Sequence, residues 1–165
     1  MRRTPAIRVA ARRDCDAIFA LVAAAFGRSD EAELVNRLRA DNDSVLELVA
    51  GGAPPSGHIL FSRLPVEPAT LKLAGLAPVS VAPQRQGMGI GGALIREGLV
   101  RCKAMGFDAV AVLGDPAYYK RFGFTRRAAS ALVSVYSGHA YQAIELRDGA
   151  LRGGRWRVTY PKAFG

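Results

Sequence analysis

At 165 residues, half of them apolar, the chain has the length of one domain and enough hydrophobic material to bury a core. Its 23 Lys and Arg against 14 Asp and Glu leave a net charge of +9, which favours anionic ligands through the long-range field. Two cysteines, Cys15 and Cys102, with no CxxC pair and no neighbouring histidine, argue against a disulfide framework or a zinc site and for a reduced, cytoplasmic setting.

Residues 6–9 can form a short strand. A helix is expected from about Asp14, with Ile18, Leu21, Val22, Ala25 and Phe26 at helical spacing and Gly27 as its stop. The basic start and the apolar stretch 17–27 imitate a signal peptide. However, Arg12, Arg13, Asp14 and Asp16 stand where the apolar region should begin, and the stretch is too short to span a bilayer. Residues 30–39 predict a second helix, with Leu34, Val35 and Leu38 on one side and Glu33 paired with Arg37.

Runs 45–50 and 58–64 are apolar and β-rich. The breakers Gly51-Gly52-Ala53-Pro54-Pro55-Ser56-Gly57 between them read as the turn of an antiparallel hairpin. Residues 71–81 form a further strand interrupted by Gly75 and Pro78. A proline inside a strand marks an edge or a bulge, so this strand should splay from its neighbour. A helix over 90–104 buries Leu94, Ile95, Gly98, Leu99, Cys102 and Met105 and pairs Glu97 with Arg101 on its other side. Gly106 stops it, and 109–113 reads as a buried strand. Asp115-Pro116 then caps a short helix ending near Gly123, and strands follow around 132–136, 143–146 and 156–160.

The segment Gln86-Gly87-Met88-Gly89-Ile90-Gly91-Gly92 places four glycines between Val79-Ser80-Val81 and the start of a helix. Glycine leaves the backbone uncovered and tolerates positive φ, so several N–H groups can converge on a phosphate at the positive end of the helix dipole. The spacing Gly87-x-Gly89-x-x-Gly92 literally matches a dinucleotide-binding fingerprint, with Asp108 downstream. The context does not fit: residues 82–86 separate the glycines from the strand, and Asp108 precedes its strand instead of ending it. No Gly-Lys-Ser or Gly-Lys-Thr follows, so a nucleoside triphosphate site lacks its lysine.

The order Val81-x-Pro83-x-x-Gln86-Gly87-x-Gly89-Ile90-Gly91, then helix, strand and Tyr119-x-x-x-Gly123-Phe124, resembles the GNAT superfamily of acyl-CoA-dependent N-acetyltransferases. Gly57-His58-Ile59-Leu60-Phe61-Ser62, Leu113-Gly114-Asp115-Pro116-Ala117-Tyr118-Tyr119 and Tyr160-Pro161-Lys162-Ala163-Phe164 look like its bacterial YhbS-like subgroup. The resemblance implies a single α/β domain over residues 1–165. Its mixed, mostly antiparallel sheet would be splayed at the middle, with helices on both faces. It also implies acetyl-CoA as co-substrate, with no metal. The amides of Gly87, Met88, Gly89, Ile90, Gly91 and Gly92, behind Gln86, would hold the coenzyme diphosphate, and Val79, Ser80 and Val81 would pair with the pantetheine arm.

Acetyl transfer needs a neutral amine, a polarised thioester carbonyl and a proton for the leaving thiolate. A backbone N–H of Val79 or Val81 could bind the oxyanion. Tyr119 aligns with the family's general acid, a phenol protonated at neutral pH; packing within Tyr118, Phe122 and Phe124 is its structural alternative. No base stands out, because the strand over 71–81 has no carboxylate. Glu31, Glu33, Glu47, His58 and Asp115 are candidates, with surface charge, turn or cap as the simpler reading of each. His58 and His139 have no metal-ligand spacing. Arg126, Arg127, Arg152, Arg155 and Arg157 face either coenzyme phosphates or solvent.

The expected activity is transfer of an acetyl group to a primary amine of an unidentified small-molecule or peptide acceptor. An acyl-CoA sensor of the same fold is the alternative. The basic residues are scattered, which argues against nucleic-acid binding, and no membrane contact is expected. A homodimer is left open.

Overall fold

The computed structural model describes residues 3–165. In chain order it has β1 (Ile7–Val9), α1 (Cys15–Phe26), α2 (Asp30–Ala40), β2 (Ser44–Ala50), β3 (Gly57–Leu64), β4 (Val66–Glu67) and β5 (Leu73–Val81). There follow α3 (Ile90–Ala104), β6 (Ala109–Leu113), α4 (Pro116–Tyr119), α5 (Arg126–Ala129), β7 (Leu132–Val133), β8 (Tyr141–Glu145) and β9 (Trp156–Val158). Among the described residues six strands hydrogen-bond in the order β1-β2-β3-β5-β6-β8 and three more in the order β4-β9-β7. The large sheet is mixed: β1–β2 and β6–β8 are antiparallel, β5–β6 parallel.

The backbone gathers into two units, one of residues through Phe61 with Ala77–Gly98, the other of Ser62–Leu76 with Leu99–Gly165. In the first, α1 buries Ile18, Leu21 and Val22, and α2 buries Ala32, Val35 and Leu38. Strand β3 is buried on both faces, which is why residues 58–62 show no polar alternation beyond His58 and Ser62. On one face α3 comes so close that a Cβ on Gly57 would lie 2.7 Å from Ile90 Cγ2. A Cβ on Gly98 would lie 2.3 Å from Phe61 Cε2. These two glycines exist for close approach.

In the second unit β5 runs parallel to β6 from Leu73↔Ala109 to Leu76↔Val112, and the ladder goes no further. It therefore stops two residues before Pro78, where the sequence places a break. Strand β8 covers the other edge of β6, from Ala109↔Glu145 to Leu113↔Tyr141. A core of Leu64, Leu73, Ala109, Ala111, Tyr141 and Trp156 fills this unit, and the Trp156 indole N–H donates to Thr70 Oγ1 at 3.0 Å.

Several expectations are corrected. Glu33 does not pair with Arg37; its carboxylate accepts from Ser29 Oγ at 2.9 Å, one turn back. Met105 is 41% exposed, because it follows the last turn of α3 and lies beyond the packed face. The strand expected over 132–136 stops at Val133. There Ser134 and Ser137 exchange backbone and hydroxyl bonds in a tight turn, with Ser134 N donating to Ser137 Oγ at 2.9 Å. The strand expected over 143–146 starts two residues earlier, and that expected over 156–160 ends at Val158. The small β4-β9-β7 sheet and the Thr125-capped α5 have no counterpart in the sequence reading.

Gly98→Ala should lower the stability of the fold by about 1–2 kcal/mol, because overpacking against the buried Phe61 ring outweighs the helix-propensity gain of alanine. Urea unfolding of the two proteins checks this; an unchanged or raised midpoint would mean that the ring has room to move.

Candidate functional site

The glycine loop leaves the end of β5 through a single 3₁₀ turn, Pro83–Arg85. It is pinned at its base: Ala82 N donates to Ser56 O at 2.9 Å, and the Gln86 side chain donates to Val81 O at 3.1 Å. Gly87 and Gly89 then take φ of +77° and +82°, with nothing within 4 Å of a Cβ placed on either. Their glycine identity answers to backbone conformation, unlike that of Gly57 and Gly98. The first bond of α3 runs from Ala93 N to Gly89 O at 3.0 Å. Among the described residues no backbone carbonyl takes the N–H groups of Gly87, Met88, Gly89, Ile90, Gly91 or Gly92, as a helix start dictates for the last of them. The Ile90 side chain is buried against the position of Gly57, so this residue anchors the loop through its side chain while its amide stays available. The result is a row of donors at the positive end of a 15-residue helix, with Gly87, Met88 and Gly89 exposed, Gly91 half-buried and Ile90 and Gly92 buried.

Just before the loop, Val79 and Val81 are half-buried and Ser80 is 3% exposed. The Ser80 hydroxyl is buried without a hydrogen-bond partner.

In the second unit Asp115 caps α4, accepting from Ala117 N at 3.0 Å, which settles its role as a cap. The cap sets Tyr119 into an aromatic cluster, edge-on to Tyr118 at 5.0 Å and to Phe124 at 5.7 Å between ring centroids. Gly114 makes room for the ring: a Cβ there would lie 2.6 Å from Tyr119 Cε2. Burial, with a smaller contribution from Tyr118, pushes the Tyr119 phenol up to about 12. It therefore holds its proton throughout the neutral range. Cys102 is also pushed up to about 12 by burial, which leaves it without thiolate character.

Glu47 is not the surface charge that a lone glutamate in a strand suggests. His58, fully buried, has its Nε2 at 2.7 Å from Glu47 Oε1, and the Arg39 guanidinium forks onto the same carboxylate, with Nε at 3.0 Å from Oε2. Burial alone would push the Glu47 carboxyl up; the bonds from His58 and Arg39 more than offset it and leave it below the usual carboxylate range. His58 Nδ1 is buried without a partner. Glu31 pairs with Arg28 and Glu33 with Ser29, so neither is a free base. His139, Arg126 and Arg155 line a cavity of the second unit. Among the described residues no group of three or more His, Cys, Asp or Glu stands close enough to hold a metal ion, and no helix is long and apolar enough to cross a membrane.

A strand that leaves its parallel neighbour, followed by a glycine-lined helix start rich in free amides, is the frame of an acyl-coenzyme A acetyltransferase. The chain belongs to the GNAT acetyltransferase family: the pattern of the acetyltransferase (GNAT) domain matches residues 6–127. It is 37% identical over 162 residues to the uncharacterized N-acetyltransferase YhbS of Escherichia coli K12, covering 96% of this chain and 97% of that one. The crystal structure of E. coli YhbS in complex with CoA superimposes with a TM-score of 0.91 at 36% identity, covering 98% of this chain and 92% of the other. A GNAT family acetyltransferase from Brucella melitensis in complex with acetyl-CoA gives a TM-score of 0.82 at 35% identity, covering 97% of each chain.

Glu47→Gln should cost about 2 kcal/mol at neutral pH, since it leaves Arg39 and His58 without their buried anion. Because the folded carboxyl lies below its unfolded value, its contribution is complete above about pH 4.3 and is lost as pH falls through the lower folded value. Denaturant titrations should therefore give wild type a steeper loss of stability than Glu47→Gln below pH 4; parallel profiles would remove Glu47 from the acid response.

Proposed function

We propose that residues 1–165 work as one N-acetyltransferase domain that moves an acetyl group from acetyl-CoA to a primary amine. The amide groups of Gly87, Met88, Gly89, Ile90, Gly91 and Gly92 hold the coenzyme diphosphate, with Gln86 bracing the loop from behind. Val79, Ser80 and Val81 offer their backbone to the pantetheine arm, and an N–H of Val79 or Val81 stabilises the oxyanion. The neutral amine nitrogen attacks the thioester carbon, the carbon–nitrogen bond forms and the carbon–sulfur bond breaks. The departing sulfur takes a proton from Tyr119, and the proton that the nitrogen gives up passes through water and restores the Tyr119 phenol. No covalent enzyme intermediate is required. The setting we assign is the cytoplasm, in line with two free cysteines.

The observation that carries this reading is the run of unpartnered backbone donors at the entrance of α3. The coenzyme-bound structures of relatives at 35–36% identity support it. One feature favours a second reading, an acyl-CoA sensor: β5 has no carboxylate to serve as base.

Calorimetry with acetyl-CoA, followed by detection of free CoA across a panel of amines, separates the two. Binding together with amine-dependent CoA release is expected; binding without release for any amine means a sensor, and no heat at all overturns the reading. Tyr119→Phe should lower kcat roughly 100-fold and leave the acetyl-CoA Kd unchanged, as removal of a proton donor does. Unaltered turnover would return Tyr119 to a packing role.

A further inference from the structure

The structure assigns a ligand to a cavity of about 420 Å³ in the second unit: the anionic group, carboxylate or phosphate, of the acceptor amine. That the occupant is the acceptor rests on the acetyl-transfer reading; that it is an anion rests on the cavity alone. Arg126, Arg155 and His139 line it together with Ser137 and Tyr141, and no Asp or Glu does.

Four arginines elsewhere have a carboxylate of their own. Arg8 is held by Asp14, Arg28 by Glu31, Arg39 by Glu47 and Arg147 by Asp108. Among the described residues no carboxylate pairs with Arg126 or Arg155, nor with arginines such as Arg12, Arg37 and Arg63; what sets Arg126 and Arg155 apart is that both border one cavity free of acidic residues. Both side chains are exposed, so solvent screens their mutual repulsion, and an anion between them accepts charge-assisted, forked hydrogen bonds from both. The floor strengthens the effect. Leu132 and Tyr141 are each 2% exposed and Ala129 6%, so an anion seated there has low-dielectric packing on one side.

The walls are built before any ligand arrives. Thr125 caps the helix that carries Arg126, accepting from Ala128 N at 3.0 Å. Trp156 N donates to Ala131 O at 2.8 Å and fixes the residue after Arg155. The turn bearing Ser137 is closed by Ser134 N on Ser137 Oγ, and Tyr141 N donates to Gly138 O at 3.2 Å.

Position within the unit links the cavity to the reaction. Tyr141 pairs with Leu113, one residue past the point where the β5–β6 ladder ends. Gly114, whose missing side chain makes room for the Tyr119 ring, donates to Ala140 O at 3.1 Å and accepts from the Gln142 side chain at 3.1 Å. The segment that lines the cavity with His139 and Tyr141 thus also clasps the seat of the proposed proton donor. An amine tethered by its anionic end in the cavity would be held next to that seat.

The test reads the arginines directly. In uniformly ¹⁵N-labelled protein, the side-chain Nε–Hε signals of Arg126 and Arg155, assigned with R126Q and R155Q, are followed during titration with sodium acetate and, separately, inorganic phosphate at constant ionic strength. Saturable movement of both signals with one anion, weakened at least 10-fold for each signal in the other arginine's single variant, is expected, and the anion that saturates names the chemistry. Linear shifts shared with the other exposed arginines overturn the pocket. In the CoA-release assay, β-alanine or phosphoethanolamine should exceed propylamine at least 10-fold in kcat/KM. The R126Q/R155Q protein should lose that preference while keeping its acetyl-CoA Kd. Absence of the preference, or its survival in the variant, overturns the assignment to the acceptor, as does loss of the phosphate response once acetyl-CoA is bound. Failure of acetyl-CoA to bind wild type would sink the transfer reading, and the anion titration would still judge the pocket.

Discussion

An α-helix cannot satisfy its own first amides, and in this chain that constraint falls on an exposed loop instead of being hidden by a side-chain cap. The amides from Gly87 to Gly92 are left without backbone partners, with the dipole of α3 behind them. The rest of the first unit keeps that arrangement in place. Ser56 O and the Gln86 side chain fix the base of the loop, the buried Ile90 fixes its far end, and Gly57 and Gly98 let α3 lie directly on β3. Without so close a seat the helix start would be free to tilt, and the donors would lose their common direction.

The same unit contains a buried polar group of a different kind. Glu47, Arg39 and His58 form an ion-paired cluster on β2, α2 and β3, where hydrocarbon would pack more simply. Three groups that satisfy one another cost little once assembled, but each is costly if a partner is missing. The cluster therefore ties α2 to the hairpin in one register. His58 Nδ1 and the Ser80 hydroxyl remain as buried polar atoms without partners, one on β3 and one on β5.

Charge in the second unit is arranged differently. Asp108 accepts from Lys72 N at 2.8 Å and from Arg147 Nε at 2.9 Å at the start of β6, and holds that end of the strand shut. At the other end of β6 the cationic side chains of Arg126 and Arg155 have no carboxylate among the described residues. The acidic residues pair with particular arginines such as Arg8, Arg28, Arg39 and Arg147, and among the basic residues without a carboxylate Arg126 and Arg155 share one cavity. Tyr119 stands near this end as a neutral phenol, protected from ionisation by burial.

Features whose physics is local could be read directly from the order of residues. Positive φ at Gly87 and Gly89, the Asp115 cap, the stops at Gly27, Gly106 and Gly123 and the periodicity of α1, α2 and α3 each depend on a few neighbouring residues, and all were legible. The end of the β5–β6 ladder near Pro78 was legible because a proline removes a ladder donor wherever it stands. Which distant groups meet depends on how the elements pack. Glu47 finds His58 across a hairpin, Arg126 and Arg155 come to border one cavity, and Thr70 finds the Trp156 indole 86 residues away. The misjudged pair of Glu33 with Arg37 makes the same point at short range. Correct helical spacing permits an ion pair, but a nearer hydroxyl on Ser29 took the carboxylate, because exposed pairs gain too little to compete.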